Sequence, residues 1–192
     1  MDFLNQEEIE AAKKYVEELT QCKSWRDGFL VADGTAINLA EKPGLFDELF
    51  YGKDKTYAIN LQAVVNVKTL QIVDYAVGPP GSVHDATAFK ETWLSDSHNS
   101  LLSPDEWIWA DSAYTLAHWV LTPFKRPPGG SLTPEQKRFN LWLSKIRIAV
   151  EHAIGLLKGC LESLKELRIR ISNEDNCKWA NRWIQSCIVV HK

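Results

Sequence analysis

The sequence lacks any long hydrophobic run. Nowhere do its 192 residues approach the roughly 20 consecutive apolar residues of a membrane-spanning helix, so no membrane association is expected. It is poor in cysteine: Cys22, Cys160, Cys177 and Cys187 lie far apart, without a CxxC pair or zinc-ligand spacing. That excludes a disulfide scaffold and a zinc module, and the four read as reduced thiols of an intracellular protein. The start, Met1 to Glu8, is acidic where a signal peptide has a basic start and an apolar core. An excess of one charge is also lacking. With 22 Lys and Arg against 25 Asp and Glu, the net charge of -3 does not advertise a polyanion partner.

What is present suits one domain of ordinary size with a real core, since 45% of residues are hydrophobic and 24% charged. Eight tryptophans are unusually many; their spacing suggests no cofactor box, and they are read as core and interface anchors. Charge is unevenly distributed. From Lys125 to Arg170 there are ten Lys and Arg against four acids, while residues 1–34 hold eight acids and four bases. The basic half is suited to face phosphates, or forms an ordinary solvated helix surface.

Apolar spacing predicts a helix over residues 5–22, with Asn5 as its cap. Residues 1–27 are read as a helical extension, and 28–192 as the main domain. Gly28 to Ile37 reads as a buried strand with a carboxylate, Asp33, set into it. Residues 41–55 are a loop. Thr56 to Val67 and Leu70 to Val77 read as two further strands, turning at Asn66 to Thr69, so that an antiparallel meander is expected. After Gly78-Pro79-Pro80-Gly81 a helix opens, capped by Ser82 or Asp85. Glu106 to Ala110 is a fourth strand ending at Asp111, with a short helix expected over Leu116 to Val120. Thr133-Pro134-Glu135 is a strong helix start. That helix is expected to run to about Leu157, carrying Arg147, Glu151 and Lys158 on one face. Leu167 to Ile171 alternates as a short strand or arm, and a last helix follows Ser172 or Asn173, with Trp179 and Trp183 expected to face inward.

The order β-β-β-α-β-α-(β)-α implies an α/β fold: a ribonuclease-H-like mixed sheet, three antiparallel strands followed by helix-linked parallel ones, flanked by helices. In that arrangement the first and fourth strands are central neighbours, which brings Asp33 beside Asp111, and the long helix can bring Glu151 to the same point. Three carboxylates within about 5 Å repel one another, by roughly 3 kcal/mol per pair at an effective dielectric near 20. Divalent cations reverse that sign. Such a set suits phosphoryl chemistry with two ions about 4 Å apart, activating a water or a 3′-hydroxyl. Arg147 would then orient Glu151 or contact a phosphate, or form a plain surface pair with it. His84 and Asp85 are candidates to support the site; the alternative is that Asp85 caps a helix and His84 is solvated.

These residues carry a resemblance. Ala32-Asp33-Gly34-Thr35, Gly81-Ser82-Val83-His84-Asp85, Ala110-Asp111-Ser112-Ala113-Tyr114 and Arg147-Ile148-Ala149-Val150-Glu151-His152-Ala153-Ile154-Gly155-Leu156-Leu157-Lys158 follow, in order, the pattern of the DDE superfamily endonuclease domain of PIF/Harbinger-type transposases and their domesticated relatives. The chain resembles that family from about residue 28 to its end, with Ala110 and Ala113 where glycines are usual. The resemblance implies a metal-dependent endonuclease or transposase catalytic domain that cleaves and transfers DNA strands. Asp33, Asp111 and Glu151 would be its catalytic metal ligands for Mg²⁺ or Mn²⁺, supported by His84, Asp85 and Arg147. It further implies double-stranded DNA as partner (transposon ends and target), a separate Myb-like DNA-binding protein, a homo-oligomer and a nuclear location. The alternative is a domesticated, non-cleaving DNA- or protein-binding module on the same fold.

Overall fold

The structure, a computed structural model, describes residues 3–52, 55–80 and 85–191. Its spine is β1 (Gly28–Leu39), and nearly every other element is placed by what it does to that strand. On one edge β2 (Ala58–Asn66) runs antiparallel to it in unbroken register from Leu30↔Asn66 to Asn38↔Ala58. Beyond β2 lies β3 (Ile72–Pro80), also antiparallel. The expected meander is therefore present. Its first turn is held as expected at Asn66, whose side-chain oxygen accepts from the Lys68 and Thr69 amides at 2.9 and 3.3 Å. On the other edge β4 (Trp107–Trp109) is parallel to the start of β1, pairing Val31 with Trp109. β5 (Val120–Leu121) extends the sheet beside β4, giving the order β3-β2-β1-β4-β5, and β6 (Glu166–Leu167) pairs in parallel with Asn38 and Leu39 at the far end of β1.

Helices cover this mixed, ribonuclease-H-like sheet. Every residue of β2 is buried, although its side chains alternate between the two faces, so both faces are covered. α1 (Gln6–Thr20) opens with a reciprocal capping box between Asn5 and Glu8 and sinks Ile9, Ala12 and Val16 into the common core. Lys13 pins it across the starts of β1 and β4, with its ammonium 3.1 Å from Asp27 and 2.7 Å from Glu106. α2 (Asp47–Phe50) is one turn within the 41–55 loop. The helical stretch after β3 is broken: α3 (Asp85–Ala88) passes through a 3-10 turn into α4 (Trp93–Leu101), which Thr92 caps. Ser82, one of the expected caps, lies outside the described residues.

The long helix α5 (Pro134–Cys160) starts as its sequence dictates, with Thr133 and Gln136 in a capping box and proline in the first turn. Leu143, Ile146, Val150, Ala153 and Leu157 form its buried stripe, while Phe139, Trp142 and Ile154 flank it half-buried. α6 (Glu174–His191) buries Ala180, Ile184, Cys187 and Ile188.

Two local expectations fail. Residues 116–120 form no helix; Ala117 and Val120 bridge across a turn that leads into β5, because the Ile108 and Ala110 amides take the Trp119 and Leu121 carbonyls as partners at 2.9 and 3.0 Å. Sheet pairing overrides local helix propensity there. Trp179 and Trp183 point outward, 54% and 41% exposed. The smaller Ala180, Ile184 and Cys187 set the inward stripe of α6 instead.

Candidate active site

β1 is fully partnered on its β2 edge and interrupted on the other. β4 reaches only Val31 and β6 begins only at Asn38, so residues 32–37 have no strand beside them on that edge among the described residues. Asp33 sits in this gap. Asp111 follows β4 directly, and because β4 is parallel to β1 at Val31↔Trp109, the two aspartates come out side by side. A tight turn holds Asp111: its Oδ1 accepts from the Ala113 amide at 3.0 Å and its carbonyl from the Tyr114 amide at 3.1 Å.

Two cations from α5 fill the gap. Arg147 donates through one terminal nitrogen to Asp33 Oδ2 at 2.8 Å, and the same nitrogen lies 3.6 Å from Asp111 Oδ2. Three turns later Lys158 donates to Thr35 Oγ1 and to the Ala36 carbonyl, both at 2.9 Å. Lys158 thus satisfies a β1 carbonyl that no strand reaches. Burial lowers its pKa, because an ammonium away from water is costly to keep charged. Arg147 Nε is buried without a hydrogen-bond partner among the described residues.

The two aspartates differ electrostatically. Burial pushes the pKa of Asp33 up, and the neighbouring Asp111 charge adds to this. The Arg147 guanidinium and the Gly34 amide, which donates to Oδ1 at 2.9 Å, oppose the rise only in part. Asp111 is also pushed up by burial, but the Ser112 and Ala113 donors and Arg147 outweigh that and leave it below the ordinary value. Pairs of acids whose environments push their pKa values apart are characteristic of reactive sites.

Glu151 lies one helical turn beyond Arg147 on α5 and is exposed. Among the described residues no three His, Cys, Asp or Glu side chains gather closely enough to hold a metal ion. The structure therefore brings Asp33 and Asp111 together and places Arg147 between them, rather than against Glu151 as a surface pair. Asp85 is the first residue of α3, and His84 lies outside the described residues.

Sequence reasoning missed two supporting residues. Lys158 was legible only as a member of the Arg147–Glu151 face. Gln62 is fully buried on β2 opposite Gly34, and its side chain hydrogen-bonds the Tyr114 hydroxyl. That link fastens the Asp111 turn across β1 to β2. The available signal was Asn60 and Gln62 alternating with Ile59, Leu61 and Ala63 in a strand with no solvent-facing side.

The arrangement presents two carboxylates to one cation. One nitrogen cation already engages an oxygen from each carboxylate, and oxygen ligands of this kind are what Mg²⁺ and Mn²⁺ take. No described helix is long and apolar enough to cross a membrane. Comparison with known proteins finds the family described as DDE superfamily endonuclease matching residues 32–192. A probable transposase for insertion sequence element IS702 from Microchaete diplosiphon is 32% identical over 137 residues, covering 69% of this chain and 47% of that protein. The putative nuclease HARBI1 of Homo sapiens is 26% identical over 160 residues, covering 81% of this chain and 43% of that one, and its Rattus norvegicus counterpart is 25% identical over 159 residues, covering 81% and 43%. The chain thus spans less than half the length of these curated relatives. No solved structure matches it.

Proposed function

The chain belongs to the DDE superfamily endonuclease family, and on that premise we propose that it is the catalytic domain of a divalent-metal-dependent DNA endonuclease or transposase. A water or a DNA 3′-hydroxyl attacks a phosphodiester, with Asp33, Asp111 and Glu151 as the ligand set for Mg²⁺ or Mn²⁺. The observation that carries this reading is the convergence of two aspartates, from neighbouring parallel strands, on a single cation. When bound, the divalent ion would supply Lewis-acid stabilisation of charge on the phosphoryl oxygens and an activated oxygen nucleophile.

The protein's own groups do the rest. Asp33 is carried by a central strand paired without a break to β2, so its position is preorganised. Its raised pKa means that it gives up its proton less readily than an ordinary aspartate before it can act as a ligand. Asp111 is held ionised by its turn. Arg147 neutralises the pair while no substrate is present, and it is placed to turn its guanidinium to a DNA phosphate once the carboxylates are otherwise engaged. Glu151, on the same side of α5, completes the ligand set from the solvent side. His84 and Asp85 support the site. The substrate is double-stranded DNA, the site of action the nucleus, and a Myb-like partner supplies target binding.

The test is a calorimetric Mn²⁺ titration of the protein and of Asp111→Asn, followed by plasmid nicking. Saturable binding that the variant loses, together with nicking that Asp33→Asn, Asp111→Asn and Glu151→Gln each abolish, supports the reading. A second reading, a non-cleaving DNA- or protein-binding module on the same fold, is favoured by the way Arg147 already satisfies both aspartates. Full DNA binding by the protein with no nicking in Mg²⁺ or Mn²⁺ would establish it instead.

A further inference from the structure

The turn that holds Asp111 has a second surface. Beyond Ala113 it forms one wall of an open cleft of about 750 Å³ whose other walls include Tyr114, Leu116, Leu121, Phe124, Lys125 and Phe139. That volume lies within the range of sites that take small organic groups. The cleft is largely apolar and aromatic, yet Lys125 opens onto it and Arg126 follows, in the segment where basic residues outnumber acids ten to four.

Phe124 is 48% exposed and Leu116 66%, so both apolar surfaces are left to solvent. The presentation of Phe124 is fixed rather than loose. Asn140 of α5 clasps the backbone of Phe124, accepting from its amide at 2.8 Å and donating to its carbonyl at 2.9 Å. Phe139 braces the Phe124 ring edge-on, with centroids 5.1 Å apart. A rigid aromatic face beside a cation, continuous with a carboxylate pair suited to phosphodiester chemistry, has the composition of a nucleobase platform. Bases stack on aromatic rings with little regard to sequence, while Lys and Arg hold the backbone.

We propose that this cleft takes an unpaired base of the DNA strand whose phosphate meets the Asp33–Asp111 pair, the base stacking on Phe124 against Leu116. The inference deepens the nuclease reading and rests on it. A base drawn out of the helix unstacks the duplex beside the reacting phosphate. The cleft therefore selects distorted, nicked or branched DNA over regular duplex.

The experiment compares two duplexes by fluorescence anisotropy, using the whole chain in Ca²⁺ without Mg²⁺. One duplex carries a single bulged 2-aminopurine and the other an abasic bulge at the same position. The protein is expected to bind the first about tenfold more tightly and to quench its 2-aminopurine emission. Phe124→Ala and Leu116→Asp should each abolish that preference; the second alters a side chain outside the core, so its fold is secure. Equal affinity of the unaltered protein for both duplexes overturns the proposal and leaves the cleft to an apolar segment of a protein partner. Preference retained in both variants overturns it as well. Plasmid nicking separates the two levels: nicking without base preference sinks the cleft assignment alone, whereas base preference without nicking keeps the cleft as a base site and sinks the nuclease reading.

Discussion

The two edges of β1 follow opposite designs. Along β2 the strand is paired residue for residue from Leu30 to Asn38, against a neighbour that is buried along its whole length. Along the other edge β4 and β6 leave a six-residue opening, and side chains of α5 complete it with Arg147 and Lys158. The first edge is where the fold gets its stability. The second exchanges backbone partners for charged side chains. Polarity concentrated at one place, supported by a conventional core elsewhere, is what a reactive site on a rigid scaffold requires.

The comparison breaks most sharply at the acids. Asp33→Asn or Asp111→Asn should lower DNA cleavage by about 10³-fold or more, equivalent to roughly 4 kcal/mol of barrier, while far-UV circular dichroism stays unchanged. Substantial residual nicking in either variant counts against the site. On the continuous edge, Leu61→Ala should do the reverse. Leu61 is fully buried, so the truncation should cost about 3 kcal/mol of stability in denaturant unfolding, with Mn²⁺ affinity changed less than twofold.

Arg147→Gln tests what fills the opening. Two carboxylates close enough to share one guanidinium nitrogen repel by roughly 3 kcal/mol at an effective dielectric near 20. Asp111 is more than a third exposed, which screens that to about 2 kcal/mol. The variant should lose about that much stability at neutral pH and recover it in millimolar Mn²⁺. A variant equally stable with and without the ion would mean that the guanidinium and the metal do not share a site.

The smallest effect concerns pH. Lys158 has a lowered pKa in the folded state, so the unfolded chain binds more protons between that value and the ordinary one near 10.5. Its charge therefore burdens the fold fully below the folded-state pKa, and the burden lifts as pH rises through it. Relative to Lys158→Met, the unaltered protein should gain stability on the alkaline side. Parallel unfolding midpoints across that window would remove Lys158 from the account.

Much of this architecture was legible because local and global signals agreed. β1 and β2 announce themselves by β-branched, alternating sequence. Pro134 behind Thr133 starts α5 where expected. The paired Asp33 and Asp111 follow from two strands with matching ends. The failures occur where a tertiary partner decides. Leu116 to Val120 has helical composition, but the unpaired edge of β4 claims its last residue. Trp179 and Trp183 are large enough to suggest a core, yet the narrow space beneath α6 admits Ala180 and Ile184. Periodicity put Lys158 on the Arg147–Glu151 face but could not show its role, which is to replace a strand that stops short. For the same reason the guanidinium of Arg147 lies against Asp33, 114 positions away in sequence, instead of against Glu151 four positions away.

The indole of Trp109 donates to the Gly28 carbonyl at 2.6 Å and stacks on Trp25 at 4.8 Å with an interplanar angle of 24°. Trp109 is also two residues before Asp111. Stacked indoles in a fixed chiral setting give a near-ultraviolet dichroic band that depends on tertiary packing, so the molecule carries a built-in optical gauge at the end of the strand that leads into its second acid. Any shift of Asp111 on taking a ligand is transmitted through Ala110 to that chromophore pair, where it can be followed without a label.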